Sequence, residues 1–269
     1  MAQVISTQNT HHHYTESGEH IVSKDVGVAR IGTWLKQGWM DIAHAPLASL
    51  FYGVLMAFTV YAVHAVFKNE PLMLFNLSTF FIMLTPFLAT GLYAISINLS
   101  KGQKPDLSHS MFAWRKNTTE FALFALVLGI VIAIWGRITP LIAAIVKSNS
   151  LLIVNPDMGV MGFIASDSGM TFMVYFLIGA AFVSAFVFAI SVVTIPLLLR
   201  DNKVGVISAM VLSFKVAMEN KLTMAVWAVL IASLITLGLV TLGLAMIVVM
   251  PLLGYASWHA FNDLIEVDD

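Results

Sequence analysis

The stretch VVMPLLGYASWHAF, residues 248–261, places a proline inside an apolar, aromatic-tipped run near the C-terminal end of the sequence. In a water-soluble helix an interior proline removes a backbone donor and crowds the preceding turn. In a membrane helix it is tolerated, because neighbouring helices and hydroxyl groups can satisfy the freed carbonyl. Two other apolar runs carry a proline followed closely by leucine, at Pro86 and at Pro196. The three prolines therefore indicate a membrane architecture that is used more than once.

The composition is also typical of a membrane protein. Of the 269 residues, 59% are hydrophobic and 11% are charged, whereas soluble domains average about 45–50% and about 25%. The mean hydropathy is +0.87. Cysteine is absent, which excludes disulfides, thiolate metal sites and thiol nucleophiles. No basic-then-apolar signal peptide precedes the apolar runs.

Six apolar runs approach or exceed the roughly 20 residues that cross a bilayer as a helix. They are 47–67, 72–99, 120–146, 171–199, 222–240 and 242–262, the last two being divided at Gly238 and Gly243. The sequence thus predicts an all-α, polytopic protein with six transmembrane helices in a single transmembrane domain, residues 25–269. Residues 1–24 are polar and aperiodic and predict a flexible, histidine-containing cytoplasmic tail.

The basic residues predict the orientation. Eleven of the fourteen fall on one side of an even number of spans: Lys24, Arg30, Lys36, Lys101, Lys104, Arg115, Lys116, Arg200, Lys203, Lys215 and Lys221. Since lysine and arginine concentrate in cytoplasmic loops, we expect both termini in the cytoplasm.

Each pair of spans follows a basic segment with one apolar stripe, namely VGVARIGTWLKQGWMDI, LSHSMFAWRKN and VGVISAMVLSFKVAMEN. Such segments are typical of helices that lie in the membrane interface. Tyr93 and Trp258 both stand seven residues after a proline. We therefore expect three parallel repeats, about 25–100, 101–200 and 201–265, each an amphipathic surface helix plus a helical hairpin. The alternative is a chance likeness among apolar helices.

Small residues form ridges on two of the spans. The ridge on span three is Ala122, Ala125, Gly129 and Ala133, and that on span four is Gly179, Ala180, Ala181, Ser184, Ala185 and Ala189. Because small residues let membrane helices approach closely, both ridges predict packing within a compact bundle.

Two pairs of ionisable residues define a candidate metal site. Asp41 and His44 stand three apart before the first span, and His259 and Asp263 stand four apart at the end of the sixth, so each pair shares a helical face. If the repeats close into a ring, two imidazoles and two carboxylates meet at the inner face, a ligand set suited to zinc or iron. The alternative is two ordinary interfacial pairs, and no other cofactor is predicted.

A second histidine cluster lies in the predicted tail. It comprises His11, His12, His13, Glu16, Glu19 and His20, which could bind a divalent metal. Adventitious metal binding is the alternative, because ordering a flexible segment costs entropy.

Phosphate-binding glycine loops, GxSxG and HExxH motifs are all absent from the sequence. The basic stretches favour anionic lipid over nucleic acid as a partner.

The runs VVMPLLGYASWHAFNDLI, residues 248–265, and SFKVAMENKLTMAVWA, residues 213–228, resemble a family of uncharacterised bacterial integral inner-membrane proteins. Some members carry a cytochrome c oxidase label, which implies a respiratory link. Haem–copper chemistry needs several histidines on membrane helices, and here only His64 and His259 lie within predicted spans, at opposite faces. We therefore do not expect oxidase catalysis from this chain. Because no nucleophile–base pair is evident in the sequence, an intramembrane enzyme is the least favoured function.

Two functions remain open. The first is a non-catalytic accessory, scaffold or assembly subunit of an inner-membrane complex. The second is a transporter or channel for a neutral or weakly polar small solute, which the polar residues of span two could line. Those residues are Asn76, Ser78, Thr79, Thr85, Thr90, Ser96 and Asn98.

Overall fold

The computed structural model describes residues 9–15, 18–149, 159–201 and 203–267, and this part of the chain is mostly helical. A small sheet is formed by β1 (Thr10–Tyr14), β2 (His20–Lys24) and β3 (Ile265–Val267). The first third of the chain contains α1 (Arg30–His44), α2 (Pro46–Phe67), α3 (Pro71–Leu88) and α4 (Thr90–Ser100). The middle contains α5 (Leu107–Met111), a 3-10 helix (Ala113–Asn117), α6 (Thr118–Asn149), α7 (Gly159–Ala165), α8 (Asp167–Ser191) and α9 (Thr194–Arg200). The last third contains α10 (Val206–Glu219), α11 (Lys221–Val240) and α12 (Met246–Leu264).

Five helical segments among the described residues are long and apolar enough to cross a membrane. They are Pro46–Phe67, Pro71–Ser100, Ala113–Val146, Asp167–Arg200 and Lys221–Val240. The sixth predicted span corresponds to α12, which is not one of them, so the count of six is not confirmed. Polar residues near its end, including His259, Asn262 and Asp263, explain the lower apolar character of α12.

The α12 helix lies inside the bundle, against α1, α2 and α4. Glycines make these approaches close. A Cβ on Gly53 of α2 would lie 2.2 Å from the carbonyl oxygen of Ile247, and one on Gly38 of α1 would lie 2.9 Å from that of Leu252. On α12 itself, Gly254 packs against Leu92. The last helix is therefore held beside the first span by backbone-to-backbone packing.

The turn between α11 and α12 lies part-way along α2 rather than at its far end. Gly243 adopts φ +94°, and a Cβ there would lie 2.4 Å from the carbonyl oxygen of Ala57. Ala57 precedes Lys68, at the end of α2, by eleven residues, which is about 16 Å of helix. The last hairpin is thus shallower than the hairpin formed by α2 and α3.

The prolines interrupt two of the three returning helices. A break follows Pro86 between α3 and α4, and another precedes Pro196 between α8 and α9, whereas α12 continues through Pro251. The threonines before the first two prolines bond to the carbonyls of Phe81 and Ile190. The first hydroxyl bonds four residues back along α3, and the second bonds across the break from α9 to the last turn of α8. Neither reaches the carbonyl four residues before its proline, which belongs to Ile82 or Val192.

The polar N-terminal segment forms a hairpin where the sequence predicts an aperiodic tail. β1 pairs with β2 in an antiparallel register that sets Thr10 opposite Lys24, and β2 pairs with β3 so that Ile21 lies opposite Val267. Ile21 and Ser23 are buried beneath the sheet. Strands from both ends of the chain therefore lie on the same side of the helix bundle, which we call the sheet end. The boundary at residue 25 of the transmembrane domain stays a prediction.

The ridge of small residues on α6 faces outward. Ala122, Ala125, Gly129 and Ala133 are all exposed, and a Cβ on Gly129 would meet nothing within 4 Å. The prediction that this ridge packs inside the bundle is wrong. On α8, by contrast, Gly179 packs on the ring of Trp135.

The order of elements is compatible with the predicted repeats. A shorter helix precedes each outgoing and returning pair: α1 before α2 and α3, α5 before α6 and α8, and α10 before α11 and α12. The rings of Tyr93 and Trp258, at corresponding positions of the first and third predicted repeats, lie 6.4 Å apart between centroids. Likeness of the three thirds in space stays a prediction.

Candidate functional site

A buried carboxylate on α1 forms the centre of the candidate site. Asp41 is only 9% exposed. Its Oδ2 accepts a short hydrogen bond from the hydroxyl of Ser96 on α4, and it lies 2.9 Å from Nε2 of His259 on α12. Helices α4 and α12 thus each place a polar group on one carboxylate oxygen of α1. A buried charge requires such partners, because desolvation without them is costly.

A second pair of hydroxyls extends the polar centre along α2. The hydroxyls of Ser49 and Tyr255 lie 3.0 Å apart, and Ser49 also donates to the carbonyl of Ala45. The hydroxyl of Tyr52, one turn further along α2, lies 2.9 Å from that of Ser110 on α5. All four side chains are buried. Their hydrogen bonds join α2, α5 and α12 around the same region.

The other acid of the predicted set has different partners. Asp263 accepts a bidentate pair of hydrogen bonds from Arg30, at 2.9 Å from Nε and 2.7 Å from Nη2. It also accepts one from the indole Nε1 of Trp34 at 2.6 Å. The hydrogen bond and charge of Asp263 raise the pKa of Arg30. This ion pair fixes the start of α1 to the end of α12.

The four residues of the predicted metal site therefore separate. Asp41 and His259 meet, whereas Asp263 binds Arg30 and Trp34. His44 is exposed, and its Nδ1 lies 2.8 Å from the carbonyl oxygen of Met40 on its own helix. Across residues 9–15, 18–149, 159–201 and 203–267, no group of three or more His, Asp or Glu side chains is arranged to hold a metal. Metal binding at the inner face stays a prediction, with two of its four expected ligands brought together.

The histidines of the N-terminal hairpin divide between the two faces of the sheet. His11 and His13 face inward, toward Asp25 at 3.1 Å and Glu219 at 3.3 Å. His12 and His20 stack on the other face, with 2.9 Å between Nδ1 and Nε2. Of the two remaining members of the predicted cluster, Glu19 lies 3.6 Å from Nζ of Lys203, and Glu16 lies outside the described residues. The alternation along β1 thus distributes the histidines instead of gathering them.

The chemistry available at the centre is that of a buried acid and an imidazole. The imidazole of His259 and the hydroxyl of Ser96 both contact one carboxylate oxygen of Asp41. The serine has no bond to the histidine in this arrangement, so a serine nucleophile activated by a histidine base does not form. The geometry suits holding or passing a proton, or fixing three helices together.

Sequence reasoning found some of these residues and missed others. It singled out Asp41 and His259 as ionisable groups at helix ends, and Ser96 as one of several polar residues on the second span. It missed Trp34, Ser49 and Tyr255, whose roles depend on which helices pack together. One signal was present in the sequence. Tyr255 stands four residues before His259, so the two side chains lie on one face of the same helix.

A comparison with known families supports the membrane assignment. Residues 72–200 match the model of a family described as predicted integral membrane protein (DUF2189). This chain is an integral membrane protein. The match covers α3, α4, α6, α8 and α9 and lies outside the two C-terminal stretches that carry the resemblance seen in the sequence. The family description names no activity, and the oxidase label stays unconfirmed.

No curated protein and no solved structure matches the membrane protein. Its function must therefore be argued from its own residues.

Proposed function

We propose that this membrane protein is a non-catalytic accessory, scaffold or assembly subunit of a bacterial inner-membrane complex. The observation that carries the proposal is the exposed ridge on α6, Ala122, Ala125, Gly129 and Ala133. Small residues at helical spacing are characteristic of close helix–helix contacts in membranes. Here they face away from the bundle, so a helix of another membrane protein could approach the backbone of α6 closely.

The interior supports a structural role. On the second span, hydroxyls bond to carbonyls of their own helix: Ser78 to Leu74, Thr79 to Phe75, Thr85 to Phe81 and Thr90 to Phe87. The amide oxygen of Asn76 accepts from Thr139 of α6. Groups that are satisfied in this way need no solute or water, as is expected inside a membrane bundle.

The sheet supports a shared side for the two ends of the chain, because β3 pairs with β2. An even number of crossings is then required. Six crossings would satisfy this requirement. Four crossings would also satisfy it, if the last hairpin, formed by α11 and α12, enters and leaves the membrane on the same side. The basic residues favour the cytoplasm for that side. The respiratory placement rests only on the family resemblance.

The scaffold proposal can be tested by enlarging the ridge. The native protein is extracted in mild detergent, and the proteins that accompany it are identified by quantitative mass spectrometry for the wild type and for Gly129→Ile. We expect a specific set of partners to fall at least fivefold in the variant, because the added side chain keeps the partner helix away. Ala232→Ile, at an exposed position on α11, is the matched control and should retain the set.

Two results would contradict the proposal. One is a wild-type protein that migrates without partners. The other is equal loss of partners in the two variants. Self-association through α6, seen as a dimer of wild-type protein only, would restrict the scaffold to a second copy of the chain.

The second candidate function is transport of a neutral or weakly polar solute. The observation that favours it is Asp41, an acid near the end of α1 that is buried against α4 and α12 beside the first span. Buried ionisable groups in membrane proteins commonly mark proton or substrate pathways. Uptake of candidate solutes into proteoliposomes, compared between the wild type and Asp41→Asn, tests this function. Equal and background-level uptake in both would rule it out.

A further inference from the structure

A cavity of about 610 Å³ opens at the sheet end of the bundle, where the ends of α4, α9, α12 and the 3-10 helix meet. Three of its lining residues are basic: Lys101, Lys116 and Arg200. Among the lining residues that the structure describes, none is acidic. The cavity volume falls within the range of small-molecule sites, about 300–1,000 Å³.

The basic groups are positioned by the fold. Lys101 caps α4, and its backbone N–H bonds to the carbonyl of Ile97. Lys116 is placed by its neighbour Asn117, whose Nδ2 donates to the carbonyl of Leu198 at 3.3 Å and so attaches the 3-10 helix to α9. Arg200 is the last residue of α9. Among the described residues, neither lysine forms an ion pair with an acid.

Most of the remaining lining residues are apolar. Trp258 and Leu198 are buried side chains that line the cavity, together with Ile97 and Leu199. Ser100 and Asn262 add a hydroxyl and an amide. The cavity therefore combines positive charge with hydrocarbon surface, which suits an amphiphilic anion better than a fully water-soluble one.

The cavity lies where two candidate spans end, which is the depth expected for lipid headgroups. Ser100 ends one candidate span and Arg200 ends another. Lipid phosphates lie at the boundary where the hydrocarbon core ends, and basic pockets between helices at that boundary bind phosphate headgroups.

From these observations we propose that the cavity is a binding site for an anionic glycerophospholipid. The phosphate is held by Lys101, Lys116 and Arg200, and the acyl region lies toward Trp258 and the leucines. Phosphate is a strong acceptor for both lysine and arginine donors. A free phosphate compound shares that chemistry, but it would not use the apolar wall. The site is independent of the polar centre at Asp41 and of the ridge on α6.

Native mass spectrometry of the purified, delipidated protein tests the site. The full chain is incubated with equimolar phosphatidylglycerol and phosphatidylcholine, and the lipid-bound species are counted. We expect the wild type to retain phosphatidylglycerol preferentially. Lys101→Gln with Lys116→Gln should reduce that retention by about fivefold per charge removed, given about 1 kcal/mol per basic residue at a membrane surface.

The matched control is Lys36→Gln with Lys215→Gln, which removes two exposed lysines outside the cavity. This variant should bind phosphatidylglycerol like the wild type. Equal loss in both double variants would mean general surface attraction and would overturn the site. Equal retention in all three proteins would also overturn it. Thermal unfolding without lipid verifies that the variants fold.

Competition separates the two sources of phosphate. Glycerol phosphate and inorganic phosphate, each at millimolar concentration, should leave phosphatidylglycerol bound. If either compound displaces the lipid completely from the wild type and fails to bind Lys101→Gln with Lys116→Gln, the site is one for a soluble phosphate compound and the lipid assignment is wrong.

Discussion

Nε2 of His259 lies 2.9 Å from Oδ2 of Asp41, although 218 residues separate the two along the chain. The same carboxylate accepts a hydrogen bond from Ser96. The contact joins the helix that precedes the first span to the last helix of the bundle. Its removal should therefore affect how the ends of the chain are held together.

Replacing Asp41 with alanine should destabilise the folded protein. The change leaves Ser96 and His259 without their acceptor in a buried position, which costs about 1–3 kcal/mol. We expect a drop of several degrees in the apparent melting temperature, measured by size-exclusion chromatography of heated samples in detergent. His44→Ala, on the same helix but exposed, should unfold like the wild type. Equal effects of the two substitutions would show that the polar centre contributes nothing special.

Adding a single methyl group to Gly53 should separate α2 from α12. The new Cβ would meet the backbone of Ile247, which cannot move as a side chain can. Overpacking of this kind typically costs about 1–3 kcal/mol. Thermal unfolding of Gly53→Ala is the measurement, and Gly129→Ala, whose Cβ would meet open space, is the control. A Gly53→Ala protein as stable as Gly129→Ala would contradict the described contact of α2 with α12.

The N-terminal hairpin should loosen as the pH falls below about 6.5. Burial lowers the pKa of His13 from its ordinary value of 6.5, and the positive charges of Lys215 and His11 lower it further, against the opposing effect of Glu219. Below pH 6.5 the unfolded hairpin therefore binds protons that the folded one resists, so stability is lost as the pH decreases. At higher pH His13 is neutral in the folded and in the unfolded hairpin, so it no longer makes the stability depend on pH.

Hydrogen exchange of the β1 and β2 amides at pH 7.5 and pH 5.5, corrected for intrinsic rates, measures this effect. His13→Asn should weaken the dependence on pH. An unchanged dependence in that variant would assign the effect to a group other than His13 and contradict the prediction.

The turn between α11 and α12 should be inaccessible to water. Its amide donors are satisfied within the turn: Leu242 bonds to Leu239, Gly243 to Gly238, Leu244 to Thr241, and Ala245 to the hydroxyl of Thr241. Leu244 is nevertheless 72% exposed on the protein surface. A turn that combines satisfied amides with exposed leucine is suited to hydrocarbon.

Single-cysteine variants test this placement directly, because the chain has no cysteine. Leu244→Cys should resist a membrane-impermeant maleimide from both sides of the membrane. Asn69→Cys, in the exposed connection between α2 and α3, should react from one side. Fast labelling of Leu244→Cys from that same side would place the turn in water and favour six full crossings.

The spans could be predicted from the sequence because long apolar runs have few alternatives. The runs 72–99 and 171–199 correspond closely to Pro71–Ser100 and Asp167–Arg200. The depth of the last hairpin could not be read in this way. It depends on Gly243 packing against Ala57, and apolar composition alone does not distinguish a helix that crosses from one that turns back.

The sheet and the ligand set depend on contacts between distant parts of the chain. β2 pairs on its second edge with residues 265–267. The sequence of β2, HIVSK, does not indicate this partner strand. Helical spacing placed His259 and Asp263 on one face. It could not show that Asp263, one turn further along, reaches Arg30 and Trp34 while His259 reaches Asp41.

The pairing of β2 with β3 has a consequence for biosynthesis. The strand that completes the sheet is made after every helix of the bundle, so the ribosome releases it only when the rest of the chain has already met the translocon. Until then the free edge of β2 has no partner from its own chain. Pairing of β2 with β3 therefore follows synthesis of the helices described above. A truncation before Ile265 would leave the β1–β2 hairpin held only by its other contacts, such as the hydrogen bond from Ser23 to Glu219 of α10.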